Sequence, residues 1–351
     1  MKVEATITAP SSIDDIVNHA RHLEELGFDT ILVPEAGHDP FLPVMVLAEH
    51  TSRVTLGTGV AVAFPRSPFV TAQIAWDLQR FSGGRFQLGL GTQVRAHNER
   101  RYSTPWTGKP VARLREYILC MRAIFQTFHQ PERPQWFTGK YYQFTLINPF
   151  FNPGPWNGNP KVPIYIAGLN RLNCQLAGEV CDGLRIHTFV TPRYIREVVV
   201  PAVHEGARRA GRDPSEIDIV GNIFVITGET KAEMEEAREV IRHHISFYGA
   251  TKTYFPVLEM HGWAEIGERL VRLSREGRWR DMPALISDEI VSEMSVMGSL
   301  SEIPSLIKER YGGLITSINM VFGPPYERLQ ERQRRLFEIV GKHLMADLKA
   351  I

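Results

Sequence analysis

The residues that could do chemistry sit behind short apolar runs. Glu35 and His38 follow Thr30 to Pro34, with only Ala36-Gly37 between them; Thr92, Gln93 and His97 follow Phe86 to Gly91; His187 and Thr188 close Gly183 to Thr188. Histidine ordinarily changes charge near neutral pH, so His38 and His97 are candidate proton donors, and Glu35 could orient His38 or act itself. Glycine-rich runs share these positions: Gly57-Thr58-Gly59-Val60-Ala61, Gly89-Leu90-Gly91 and Ala167-Gly168-Leu169-Asn170. Taken singly, such glycines read as turn chemistry. Taken together, they remove side chains where something flat could lie against the backbone. The last run also opens a helix, whose free amides and positive dipole end favour a phosphate. The combination suggests a planar, phosphorylated, flavin-like cofactor.

Other chemistries lack their signatures. There is no Gly-x-x-x-x-Gly-Lys-Ser/Thr loop, no His-Glu-x-x-His and no Gly-x-Ser-x-Gly elbow. Gly89-Leu90-Gly91 lacks the third glycine of a dinucleotide fingerprint and comes after three strands rather than after the first. His243-His244 reads as a solvated helix face. Cys120, Cys174 and Cys181 read as buried thiols; two on one helix are too few for a structural metal site, and none is assigned. With 40 basic and 39 acidic residues the net charge is +1 and the basic residues are scattered, which argues against a nucleic-acid partner. No apolar run is long enough to span a membrane, and no signal-peptide core follows Lys2 to Thr8, so the expectation is a cytoplasmic protein acting on a small molecule.

The elements that must hold these residues alternate. Apolar strands are expected at Val3–Thr8, Thr30–Pro34, Val54–Val62, Phe86–Gly91, Pro163–Ala167, Gly183–Thr188, Ile217–Thr227 and Ile315–Phe322. Helices are expected at Ile13–Leu26 (capped by Ser11 or Ser12 and stopped by Gly27), Leu42–Thr51, Pro68–Phe81, Asn170–Cys181, Pro192–Ala210 and Glu229–Phe247, with a closing helix from Tyr326. Eight strands alternating with helices make an α/β fold, a (β/α)8 TIM barrel, with a doubly wound open sheet as runner-up. One domain covers 1–351. It carries two excursions. Residues 131–162 hold a hairpin over Trp136–Phe144, turning at Gly139-Lys140, and a proline-rich loop. Residues 250–299, with Tyr254, Phe255, His261, Trp263 and Trp279, are either a lid over the mouth or extra helical packing.

At this point the residues resemble a family. Leu56-Gly57-Thr58-Gly59-Val60, Arg66-Ser67-Pro68, Ser82-Gly83-Gly84-Arg85-Phe86, Leu88-Gly89-Leu90-Gly91, Ala167-Gly168, Ala177-Gly178-Glu179, Cys181-Asp182-Gly183-Leu184 and Tyr311-Gly312-Gly313 are similar in order and spacing to the bacterial luciferase-like superfamily. Gly91 to His97 and His261-Gly262-Trp263 look most like its branch using the deazaflavin coenzyme F420 (8-hydroxy-5-deazaflavin). The resemblance implies a barrel with the cofactor ring at the C-terminal mouth and a non-proline cis peptide at Gly59-Val60 behind the ring. It places the ring and phosphate near Gly59, Val60, Ala61, Thr92, Gln93, Ala167, Gly168, Leu169, His187 and Thr188. It also implies hydride transfer to or from a small organic substrate, in a homodimer. Two other readings stand beside it: an FMN-dependent monooxygenase on the same barrel, and a non-catalytic flavin-binding member. The sequence departs from the family in two respects. Gln93-Val94 stand where a proton-donating glutamate is often found, and Ala36-Gly37 separate Glu35 from His38 where the family often has an acidic residue next to histidine, which leaves His38, His97 and Glu35 as the catalytic candidates.

Overall fold

The computed structural model describes residues 1–8, 12–323 and 327–351; Ser11 and Tyr326, the alternative cap and the helix start above, lie outside the described residues. The barrel strands in chain order are Lys2–Thr6, Thr30–Val33, Thr55–Thr58 continued by Ala61–Val62, Phe86–Gly91, Ile164–Gly168, Gly183–Ile186, Asp218–Ile226 and Ser317–Val321. Each pairs in parallel with the next, and the last pairs with the first through Lys2↔Ser317 to Glu4↔Asn319, so the sheet closes as a TIM barrel. The open-sheet alternative is thereby excluded.

Local chemistry places the helices. Ser12 accepts the Asp15 amide at 3.1 Å and starts Ile13–Glu25, which buries Ile16, Val17, Ala20 and Leu23 on one face. Ser67 caps Pro68–Phe81 in the same way, with proline at the first helical position. The helix expected over Pro192–Ala210 is broken by a π-helical segment at Ile195–Val199. Pro201 follows at once, and its missing N–H and bulky ring explain the slip in the hydrogen-bond ladder.

Three sequence expectations change. The third strand is not continuous: Gly59-Val60 is a cis peptide, as the resemblance implied, and it divides the strand in two. The hairpin pairs Phe137-Thr138 with Gln143-Phe144, so its connection is four residues rather than a turn at Gly139-Lys140 alone. The segment after Gly249 contributes helices Phe255–Met260, Ala264–Arg275 and Asp288–Met294, and it also adds a short strand, Ser295–Met297, in parallel with the upper end of the seventh barrel strand. Val257, Leu258, Leu270, Ile290, Val291 and Met294 from this segment are all buried.

The barrel interior is partly polar. Bonds between strands that are not neighbours cross it: Arg185 to Glu4 at 2.6 Å, both almost fully buried, and Tyr165 to Asp218 at 3.0 Å. Burial pushes the Glu4 carboxyl up, against the pull of Arg185. Small inward positions match these large ones. A Cβ on Gly57 would lie 2.7 Å from the Gln87 side chain, and one on Gly183 would lie 2.3 Å from the Tyr165 ring.

Candidate active site

Parallel strands put every strand tip at the same end, so the candidate residues converge on the C-terminal mouth. Val60 is half-buried there, at the centre of a tightly fitted wall. A Cβ on Gly89 would lie 2.1 Å from the Thr58 carbonyl oxygen, and one on Gly91 would lie 2.8 Å from Val60 Cγ2. Gly59 packs against Leu32, whose Cβ a side chain would meet at 3.0 Å. The glycines of the third and fourth strands therefore answer to their own neighbours in the wall. Gly91 makes room for Val60, Gly89 for the Thr58 carbonyl and Gly59 for Leu32, a role in the wall that the sequence, read for a ring alone, had not suggested. Gly168 is similar: its Cβ would meet Asn173 at 2.8 Å, so it is small to let the following helix dock.

Glu35 is tied to this wall on both sides. Its N–H donates to the Val60 carbonyl at 3.3 Å, and its carboxylate accepts the Val62 N–H at 2.7 Å. Arg66 grips the same carboxylate with both terminal nitrogens, at 2.7 and 3.2 Å, and reaches Asp39 at 2.9 Å. The Tyr102 hydroxyl donates to Glu35 at 3.4 Å; burial, with that carboxylate beside it, pushes the hydroxyl up. Arg101 donates to the Ala36 carbonyl. These bonds sew together the loops that follow the second, third and fourth strands. Arg66, Tyr102 and Arg101 were not singled out from sequence; Arg66-Ser67-Pro68 was noted only as a motif.

His38 lies in the first of these loops and His97 on the short helix Arg95–Arg100; both are exposed. His97 is not paired with Glu99, which binds Arg95 at 3.0 Å instead. Thr92 and Gln93 are half-buried. Gln93 has φ 55°, a left-handed conformation uncommon outside glycine, and its own side chain accepts the Val94 N–H at 2.9 Å. The turn is fixed from below by Asn98, fully buried, whose Nδ2 donates to the carbonyls of Thr92 and Val94.

On the far side, Ala167, Gly168 and Leu169 lead into the helix Arg171–Val180. Asn170 caps it without a side-chain bond, and among the described residues the buried oxygens Asn170 Oδ1 and Asn173 Oδ1 have no partner. Free amides at a helix N-terminus, flanked by two carboxamides that nothing holds in one orientation, fit an anion. His187 and Thr188 close the rim and are half-buried. The His187 ring stacks on Tyr254, centroids 4.4 Å apart at 21°, and meets Tyr248 edge-on at 4.5 Å. Burial, with His244 nearby, pushes the imidazole down to about 4. His243 is exposed as expected, but His244 is not on a solvated face: its ring lies 5.8 Å from Tyr248 and 5.9 Å from Phe224. Tyr254 anchors the long excursion to the rim, and His261 Nε2 with Thr191 Oγ1, 2.8 Å apart, does so again. His261 itself stacks on Trp263 at 4.5 Å.

The family model for luciferase-like monooxygenases matches residues 1–317. The chain belongs to that family. Among its relatives, the uncharacterized protein Rv1360 of Mycobacterium tuberculosis is 40% identical over 92% of this chain and 93% of its own. The 5,10-methylenetetrahydromethanopterin reductase of Methanolobus tindarius is 26% identical over 94% of this chain and 95% of its own. Among solved structures, the coenzyme F420 dependent tetrahydromethanopterin reductase of Methanopyrus kandleri superposes with a TM-score of 0.79 at 20% identity, covering 99% of both chains. The luciferase-like family thus accounts for the barrel. Among the described residues no helix is long and apolar enough to cross a membrane.

Proposed function

We propose that this chain is a coenzyme F420-dependent oxidoreductase that moves a hydride between the deazaflavin and a small organic substrate. The observation that carries the reading is the pairing of a shaped wall with an anion seat at one mouth: Val60 standing out from the third strand, and the open N-terminus at Gly168-Leu169-Asn170 on the other side of the fourth strand. Reductases among the relatives and neighbours support it. Residues Gly59, Val60 and Ala61 would back the ring, Thr92, Gln93 and Ala167 would flank it, and the amides beyond Gly168 would hold its phosphate. When bound, the deazaflavin supplies the two-electron hydride chemistry.

The chain's own residues position groups and handle protons. Glu35 serves as a brace: its oxygens already accept from Arg66, Val62 and Tyr102, which fixes the Val60 segment against the loop after the second strand. His38 and His97, exposed on the loops above, are the proton donors in this reading. The protein works as a homodimer, a state that light scattering reads directly.

The test is a fluorescence titration. Quenching of deazaflavin fluorescence at micromolar affinity, with no response to FMN, is the expected result; the reverse preference assigns an FMN-dependent monooxygenase instead. For the proton donors, His38→Gln and His97→Gln are compared at saturating cofactor, and unchanged turnover in both variants rejects them.

A further inference from the structure

We propose that His187 donates a hydrogen bond to an oxygen of the substrate, and that the substrates of this mouth are carbonyl compounds reduced to alcohols. The inference rests on the hydride-transfer reading above and adds to it the substrate class and the residue that selects it.

The backbone N–H of Phe189 donates to His187 Nδ1 at 3.1 Å. A backbone amide can only donate, so Nδ1 must carry the lone pair and the ring proton sits on Nε2. That Nε2 has no protein partner among the described residues, yet it is not sealed off as a buried atom. It therefore opens on free space. His187 lies one residue beyond the end of the sixth strand and two beyond Arg185, whose side chain crosses the barrel interior to Glu4. Side chains two apart on a strand share a face, so the free space is the mouth.

The ring cannot easily turn away or charge up. Tyr254 covers one face, Tyr248 meets it edge-on, and Phe189 stacks on Tyr254 at 5.7 Å. Besides the phenols of Tyr248 and Tyr254, the latter pushed up by burial, the titratable neighbour is His244 from the helix Lys231–Gly249, pushed down to about 4 by burial. A neutral imidazole with one outward N–H makes a poor phosphate seat, which is where the sequence had placed His187. It makes a good polariser of a C=O group.

In the step this assigns, a hydride brings both electrons from the reduced deazaflavin to the carbonyl carbon. The π pair moves onto oxygen, and the resulting alkoxide takes its proton from His38 or His97, the donors of the functional reading above. The Nε2–H group stays on the ring throughout and strengthens its hydrogen bond as charge grows on the oxygen, which raises kcat more than it lowers KM.

Two variants separate this role from a structural one. His187→Asn keeps an acceptor near Nδ1 for the Phe189 amide but removes the outward donor. His187→Gln keeps a donor near Nε2. With cyclohexanone as the probe, kcat/KM is expected to fall roughly 100-fold in H187N, mostly in kcat, and less than about 10-fold in H187Q. Deazaflavin affinity, read by fluorescence quenching, is expected to stay within about twofold in both. A purely structural histidine would reverse the order of the two variants, and a phosphate-binding one would weaken deazaflavin binding in both; either result overturns the assignment. Independently of turnover, the His187 Nε2–H resonance of histidine-labelled holoenzyme should move with cyclohexanone and not with methylenecyclohexane, which has the same shape without the oxygen. If the resonance moves alike with both, or with neither, the proposal fails. A wild type that binds deazaflavin but reduces none of cyclohexanone, 2-butanone and benzaldehyde refutes the substrate class alone. A wild type that does not bind deazaflavin refutes the functional reading beneath it.

Discussion

Gly89→Ala is the most direct test of how the mouth is built. A methyl at this position would lie 2.1 Å from the Thr58 carbonyl oxygen, against a normal carbon–oxygen approach of about 3.3 Å. The obstacle is backbone, so no side chain can swing aside and the two strands must part by about 1 Å. Thr58 is also the stitch at this level: its hydroxyl donates to the Gly89 carbonyl at 2.6 Å and accepts the Gly89 N–H at 2.9 Å. Overpacking costs about 1–3 kcal/mol, and two disturbed hydrogen bonds cost about 1 kcal/mol each. The variant should therefore lose about 3–5 kcal/mol, a large share of a typical domain's stability. Urea unfolding at constant slope reads this as a lower midpoint. Two companions sharpen the test. Gly91→Ala is crowded by the Val60 side chain, at 2.8 Å, with Ala167 Cβ at an ordinary 3.9 Å, so about 1–2 kcal/mol is expected, and Val60→Ala in the same chain should recover most of it. Gly37→Ala has nothing within 4 Å and should change stability by less than about 0.5 kcal/mol. If Gly89→Ala lies within 1 kcal/mol of wild type, or if Gly37→Ala costs as much, the account of the wall is wrong.

Arg66→Met strands the Glu35 carboxylate, which is only 7% exposed, and should cost about 3 kcal/mol in urea unfolding; the double variant with Glu35→Met should recover at least half of the loss, and a single-variant loss below 1 kcal/mol would show that the pair holds nothing. Acid should weaken the fold before its carboxylates protonate. His19, His187 and His244 are each pushed down to about 4 by burial, so the unfolded chain takes up protons first; stability is full above about pH 6.5 and falls as pH drops toward 4, by up to about 3 kcal/mol for a group as buried as His187. A urea midpoint that is flat between pH 7 and 4.5 would contradict this, and H187N should remove part of the slope. Cys120, Cys174 and Cys181 are buried, and burial raises their thiols to about 11, 12 and 12, so native protein should ignore a thiol reagent at pH 8 while urea-unfolded protein gives three equivalents.

The barrel was legible because its signal is periodic and local: Ile16, Val17, Ala20 and Leu23 on one helix face, and short apolar runs at each strand. The strand Ser295–Met297 was hidden because three residues carry no periodicity, and only its pairing with Phe224–Ile226 identifies it. The site was half legible. Glycine spacing suggested room for a ring but not the packing within the wall, since which strand presses on Gly89 depends on register, a long-range property. Glu35 and His187 stood out by residue type. Their partners, Arg66 at one and Tyr254 with the Phe189 amide at the other, lie 31, 67 and 2 residues away, and those partners decide what each group can do. Asn98 gave no signal among its charged neighbours, although it carries the turn after the fourth strand.

The packing of the mouth also says where its specificity is open to change. Around Gly59, Gly89 and Gly91 an added carbon meets another atom at 3.0 Å or less, so that half of the rim has almost no room for inherited variation. The opposite half is made of side chains on the loop after the sixth strand, the end of the helix Lys231–Gly249 and the long excursion, namely His187, Tyr248, Tyr254 and the Thr191–His261 link. Diversity among related enzymes, and libraries made to redirect this one, should therefore concentrate on that second arc, with the first acting as a fixed reference surface for the reaction.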